Sequence, residues 1–218
     1  MATQTTSNRT GATSTPFLAF ERFAGVCALI VGIGGLLYAI SFIILKGALL
    51  SDLFLMLGGL FSTAVLVALY NRLRETDAAF ALWGLVLSIT AAVGSAIHGG
   101  YDLANVLHPV SQVTDAAAAG VPNAIDPRGV LTFLIGGIGL FVIAWLMGRN
   151  ERFPKMLSYL GYVAAVLLII LYLGRLIIYT PTNPLILIPA LLSGFLVNPI
   201  WYIWLGISLW GGRKAVGG

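Results

Sequence analysis

Both histidines of the chain fall in one stretch, Ser95 to Pro109, which reads Ser-Ala-Ile-His-Gly-Gly-Tyr-Asp-Leu-Ala-Asn-Val-Leu-His-Pro. His98 and Asp102 stand four residues apart, a spacing that makes two side chains neighbours on a helix and lets them hydrogen-bond. At 100° per residue, Gly84, Ala91, Gly94, Ser95, His98, Tyr101, Asp102 and Asn105 share one broad face. Leu, Ile and Val dominate the remainder, so the small and polar face should look inward. Gly99-Gly100, each about 1 kcal/mol worse than Ala in a helix, points to local unwinding or a very tight contact. Further along, Arg175 interrupts another apolar run, with Tyr172 and Tyr179 on its face.

The chemistry open to these groups is ligand binding or proton handling, with an imidazole beside a carboxylate. Metal coordination by His98, Asp102 and His108 would need the segment after His98 to fold back. No lysine lies inside an apolar run, so a retinal Schiff base is excluded, and two histidines do not supply paired intramembrane haem ligands. Neither a phosphate-cradling glycine-lysine motif nor a Gly-x-Ser-x-Gly elbow is present. No cofactor and no metal ion is expected.

The elements that must position these residues are membrane helices. The mean hydropathy is +0.96, 59% of residues are hydrophobic and 9% are charged; a soluble domain carries about 25% charged residues. A net charge of +4 and a pI of about 9.4 do not indicate nucleic acid, because the basic residues sit in short clusters between apolar runs. Six runs come near the roughly 20 residues that cross a bilayer: Phe23–Leu45, Leu53–Tyr70, Ala79–Leu103, Val130–Met147, Met156–Tyr179 and Leu185–Trp210. Strand-like alternation is absent, so the fold class is all-α, a polytopic transmembrane six-helix bundle.

Domain organisation follows. Residues 1–19 read as a polar tail rather than a signal peptide, 20–212 as the transmembrane domain, and 213–218 as a second tail. Arg9, Arg22, Arg72, Arg74, Arg149, Arg152, Lys155, Arg213 and Lys214 fall on one side, nine of the twelve Lys and Arg. That places both termini in the cytoplasm of a multi-pass cytoplasmic (inner) membrane protein. Lys46, Arg128 and Arg175 go to the other side or the interior. The longest connection, 104–129, falls on the outer face; Thr114-Asp115 and the alanines after it read as a short capped helix, and Asp126-Pro127-Arg128-Gly129 as a turn.

A faint repeat relates Gly58-Gly59 to Gly136-Gly137 at an offset of 78 residues, each followed by an apolar run, a basic turn and another helix. Any two basic-turn hairpins look alike in this way, and that is the better account of it. In the last run, Asn198-Pro199 predicts a kink and a bond from Asn198 to another helix. Trp201, Tyr202, Trp204 and Trp210 predict an aromatic belt. Cys27 reads as a packing residue. Gly32, Gly35, Gly58, Gly59, Gly136, Gly137 and Gly139 suit close helix packing within the bundle or against a partner.

Glu21-Arg22-Phe23-Ala24-Gly25-Val26 at the first helix and the turn Tyr70-Asn71-Arg72-Leu73-Arg74 resemble a family of small bacterial six-helix membrane proteins, catalogued as a domain of unknown function. The resemblance implies fold and location over most of the chain after residue 20, and it brings no activity or site residues with it.

Helices 3 and 5 both run outward, so Arg175, His98 and Asp102 should lie at similar depth, with Asp102 the natural partner of Arg175. In a functional reading, His98, Asp102, Arg175, Tyr101, Tyr172, Tyr179, Ser95 and Asn105 form a binding or proton-handling site. In a structural reading, Asp102 and Arg175 only join helices, or Arg175 snorkels to headgroups. The leading functional expectation is a non-enzymatic accessory or structural component, held to a membrane protein partner or a second copy, or a binder of lipid or a small hydrophobic molecule. A small proton-coupled secondary transporter using Asp102 and His98 is the alternative, and a membrane enzyme acting on a lipid the third.

Overall fold

The computed structural model describes residues 15–107, 126, 128–178, 180 and 182–211. His108, Tyr179 and the Thr114-Asp115 segment lie outside the described residues. Six helices are long and apolar enough to cross a membrane: α1 (Leu18–Leu45), α2 (Ala48–Leu73), α3 (Ala78–Leu107), α4 (Val130–Arg149), α5 (Lys155–Ile177) and α6 (Pro184–Trp210). Among the described residues there is no strand. The protein is an integral membrane protein, an all-helical bundle.

Two boundaries differ from expectation. Helical geometry begins at Thr15, so residues 15–19, expected as the end of the tail, belong to the first helix. At its other end α3 runs on to Leu107, because Asp102 and Asn105 find a cleft to face and no longer force an exit from the helix. At 30 residues and 1.5 Å per residue, α3 is about 45 Å long. It outreaches a hydrocarbon core of about 30 Å.

Each helix packs on the one before and the one after it, and the second half of α6 returns to α1, which closes a ring. Glycine sets how near the neighbours come. A Cβ on Gly59 would stand 2.4 Å from the Ala92 carbonyl oxygen, and one on Gly99 would stand 2.5 Å from the Met56 nitrogen. The Gly99-Gly100 pair therefore resolves as a tight contact of α3 with α2, not as an unwinding. Gly137, the repeat equivalent of Gly59, packs less tightly on α5, where a Cβ would stand 2.8 Å from the Ile169 side chain and 3.1 Å from the Ala165 carbonyl oxygen. The ring closes on Gly25 and Gly206, whose backbones meet directly, and Gly139 passes Ser88 between α4 and α3. Gly35 and Gly58 meet nothing within 4 Å, and in their helices Gly32 and Gly59 make the close approaches instead.

The end of the bundle where α1 starts and α6 finishes carries Arg22, Arg72, Arg74, Arg149, Arg152 and Lys155, and is called here the basic end. Inside it Arg72 of α2 grips Glu21 of α1 through two bonds, Nε to Oε1 at 2.9 Å and a terminal nitrogen to Oε2 at 3.0 Å. The side chains are 6% and 2% exposed. The other terminal nitrogen reaches the Ser208 carbonyl of α6 at 3.4 Å. Asn150 donates to the Arg72 carbonyl and to the Thr76 hydroxyl, and the Phe153 ring lies under the guanidinium at 5.8 Å. The start of α1 and the end of α2 thus meet in one buried ion pair.

Three helices leave α geometry, and all do so away from the basic end. Ile40–Leu45 ends α1, Val130–Ile135 begins α4, and Ser193–Val197 interrupts α6, each as a π turn. In α6 the cause is local: Pro199 has no N–H to close the ladder, and Asn198 Nδ2 donates to Ser193 Oγ at 2.8 Å. Asn198 bonds within its own helix, contrary to the bond expected across to another. Trp201 also departs from the belt reading. It is buried, and its indole N–H donates to the Leu157 carbonyl of α5 at 3.2 Å, while Trp210 stays exposed. Cys27 packs in the core.

Candidate functional site

At the far end of the bundle the last turns of α1 and α3 and the first turns of α2 surround a cleft of about 430 Å³. Its walls are Phe42, Ala48 and Val106; its polar groups are Lys46, Ser51, Asp52, Asp102 and Asn105. Asp102 Oδ2 stands 3.1 Å from His98 Nε2, the neighbour contact that the four-residue spacing anticipates. The imidazole's other nitrogen, Nδ1, is buried without a hydrogen-bond partner. Asp52, one turn into α2, receives only the Ser51 hydroxyl at 3.3 Å and joins none of the ion pairs among the described residues. Two carboxylates thus share a pocket with apolar walls.

The backbone explains why a lysine guards the mouth. The π turn of α1 ends with Lys46 in the left-handed region at φ 51°, and the Gly47 N–H closes back on the Ser41 carbonyl at 2.9 Å. For a residue with a Cβ that conformation costs on the order of 1 kcal/mol. Chain reversal here holds the Lys46 side chain beside the cleft, exposed and in none of the ion pairs among the described residues.

Tyr38, inside the bundle on α1, stacks on Phe42 at 5.6 Å between ring centres. Arg175, Asp52 and Asp102 all lie within electrostatic range of it. The expected pair of Asp102 with Arg175 does not form. The π turn of α4 packs on both α3 and α5, and its Phe133 ring takes the Arg175 guanidinium at 5.3 Å. Asp126 holds that turn in place, accepting from the Thr132 N–H at 2.9 Å and from its hydroxyl at 3.0 Å.

The remaining sequence candidates divide. Asn105 lines the cleft with Asp102. Ser95 spends its hydroxyl on the Ala91 carbonyl at 2.9 Å. Tyr101, placed on the inward face from its angle, is 39% exposed, because the tight α2 contact at Gly99 rotates it toward the outside. Tyr172 is half-buried on α5, and Tyr179 lies outside the described residues. Sequence reasoning missed Asp52, Ser51, Lys46 and Tyr38. The signal for Asp52 is a lone acid directly before the apolar run at Leu53, inside a helix that begins at Ala48.

The chain matches no protein-family model, no curated protein and no solved structure. Its site is read from geometry. Among the described residues no group of three or more His, Cys, Asp or Glu side chains is arranged to hold a metal ion. What the far-end cleft offers is a pair of carboxylates, one of them held against the His98 imidazole, and apolar walls.

Proposed function

We propose that this integral membrane protein binds a small amphiphile with a cationic head in the far-end cleft, where Asp52 and Asp102 receive the head. Asp52, without an ion-pair partner among the described residues and facing the same cleft as Asp102, carries the reading. An ionisable residue in a membrane segment is costly, and finding one there without a partner is a mark of a binding or transport site. The exposed Phe42, Leu49, Leu50 and Leu107 around the mouth suit an alkyl tail. The strained Lys46 at the rim is consistent with a residue kept for function at some expense in stability. The charge pattern assigns this end to the outer leaflet of the cytoplasmic membrane, with both termini inside.

The test is equilibrium binding of a fluorescent alkylammonium to the full chain in mild detergent, against an alkyl alcohol of the same length. Saturable binding of the cation, weakened about tenfold or more in both Asp52→Asn and Asp102→Asn, is expected from the loss of a charge-assisted contact worth about 1.5–3 kcal/mol. Equal binding of the alcohol, or variants that bind like the parent, would sink the proposal.

A second reading, a small proton-coupled transporter, is favoured by the unpartnered Nδ1 of His98 beside Asp102. It requires pH-driven flux of the same cation into proteoliposomes, lost in Asp102→Asn and in His98→Gln.

A further inference from the structure

At the opposite end of the molecule a second cleft, of about 240 Å³, opens between α4 and α5. It is small beside the usual 300–1,000 Å³ or so of a drug-sized site, but it is built for an anion. Its lining includes Trp145, Arg149, Lys155, Tyr159 and Tyr162. The Arg149 guanidinium sits over the Trp145 ring, its Cζ 3.8 Å from the ring centre, a contact with the ring face that uses none of its five N–H donors. Lys155 donates to the Gly148 carbonyl, which draws the ammonium across the cleft and leaves donors to spare, since it has three.

Neither cation is neutralised. The basic end has two acid–base pairs among the described residues: Arg72 with buried Glu21, and Arg152 with Glu75 at 2.6 Å. Glu151, on the connection between the two helices, is exposed and in no ion pair. The Ser158 hydroxyl is committed to the Ala144 carbonyl at 2.6 Å. Tyr159, by contrast, is 62% exposed.

We infer that this cleft seats the phosphate headgroup of an anionic phospholipid, with Arg149 and Lys155 as its two charge contacts. A lipid fits better than a soluble phosphate because of what continues from the cleft along the two helices. Phe141 stands edge-on to Tyr162 at 5.0 Å between ring centres, and Phe141, Val163 and Val166 are exposed, which gives acyl chains an apolar seam. Basic pockets between membrane helices at the cytoplasmic side commonly hold such headgroups. This site is separate from the far-end cleft and does not rest on the function proposed for it.

The test is native mass spectrometry of the full chain in mild detergent, titrated with phosphatidylglycerol, phosphatidylcholine or inorganic phosphate. Retention of phosphatidylglycerol well above phosphatidylcholine is expected. Each basic residue near a membrane surface contributes about fivefold to binding of anionic lipid, so Arg149→Gln with Lys155→Gln should lose about 25-fold. Arg74→Gln, which removes a charge at the same end but outside the cleft, should bind like the parent, and Arg149→Lys should retain most of the affinity. A double variant that keeps parental retention overturns the assignment. So does binding of inorganic phosphate without retention of phosphatidylglycerol. If the double variant does not fold, loss of selectivity in Arg149→Gln alone decides in favour, and its persistence against.

Discussion

Removing either member of the Glu21–Arg72 pair should be among the most damaging single changes in the molecule. With Arg72→Ala, the Glu21 carboxylate, 2% exposed, loses both of its donors at once. With Glu21→Ala, the guanidinium keeps only the longer bond to Ser208 at 3.4 Å. Breaking a buried pair by deleting one partner costs about 3–5 kcal/mol. Deleting both removes the uncompensated charge and leaves mainly lost packing, so Glu21→Leu with Arg72→Met should fall within about 1–2 kcal/mol of the parent. The loss in the double variant then falls short of the sum of the single losses by about 4 kcal/mol or more, above the usual range of about 0.5–3 kcal/mol for residues in contact. Arg72→Lys should behave like a deletion in milder form, because an ammonium cannot make the two-pronged contact. Unfolding by a denaturing detergent in mixed micelles, followed through the five tryptophans of the parent, Glu21→Leu, Arg72→Met and the double variant, gives all four corners of the cycle. If the double variant lost the simple sum of the two single losses, the pair would not be the reason either residue matters.

Two further outcomes are expected on the same assay. Gly99→Ala would set a methyl 2.5 Å from the Met56 nitrogen and 2.6 Å from the Asp52 carbonyl oxygen, atoms that move only if α2 and α3 part, and should cost about 1–3 kcal/mol; Gly58→Ala meets open space and should be neutral or gain up to about 1 kcal/mol. Asp126→Ala removes the acceptor for the Thr132 amide and hydroxyl, so it should cost about 1–2 kcal/mol and speed amide exchange in Val130–Ile135, while Asp126→Asn keeps part of both.

The six spans were readable because hydropathy is a sum over many residues and tolerates local exceptions. The His98–Asp102 contact was readable for another reason: helical spacing alone makes the two neighbours. What failed needed knowledge of which helices touch. The similar depth of Asp102 and Arg175 suggested a pair, yet the π turn of α4 stands between their helices and supplies Phe133 instead. Glu21 and Arg72 lie 51 positions apart, and nothing local to either residue marks the other. Trp201 sat where an interfacial tryptophan belongs, and only the Leu157 carbonyl beside it shows why it turned inward. The π turns left no trace in the pattern, since one extra residue in a turn leaves an apolar run apolar.

The closure of the ring through Gly25 and Gly206 sets an order on synthesis. The face of α1 that ends against α6 emerges first, and its partner emerges last, about 165 residues after the end of α1. At about 5–20 residues per second, α1 waits roughly 8 to 33 s in the membrane with that face against lipid or the insertion machinery. Its one buried charge does not wait so long, because Arg72 arrives with the very next helix and can neutralise Glu21 within the first hairpin. The nascent chain is thereby spared a lone carboxylate in the bilayer, and the slow step is left to surfaces of glycine and alanine that lipid tolerates until the last helix docks.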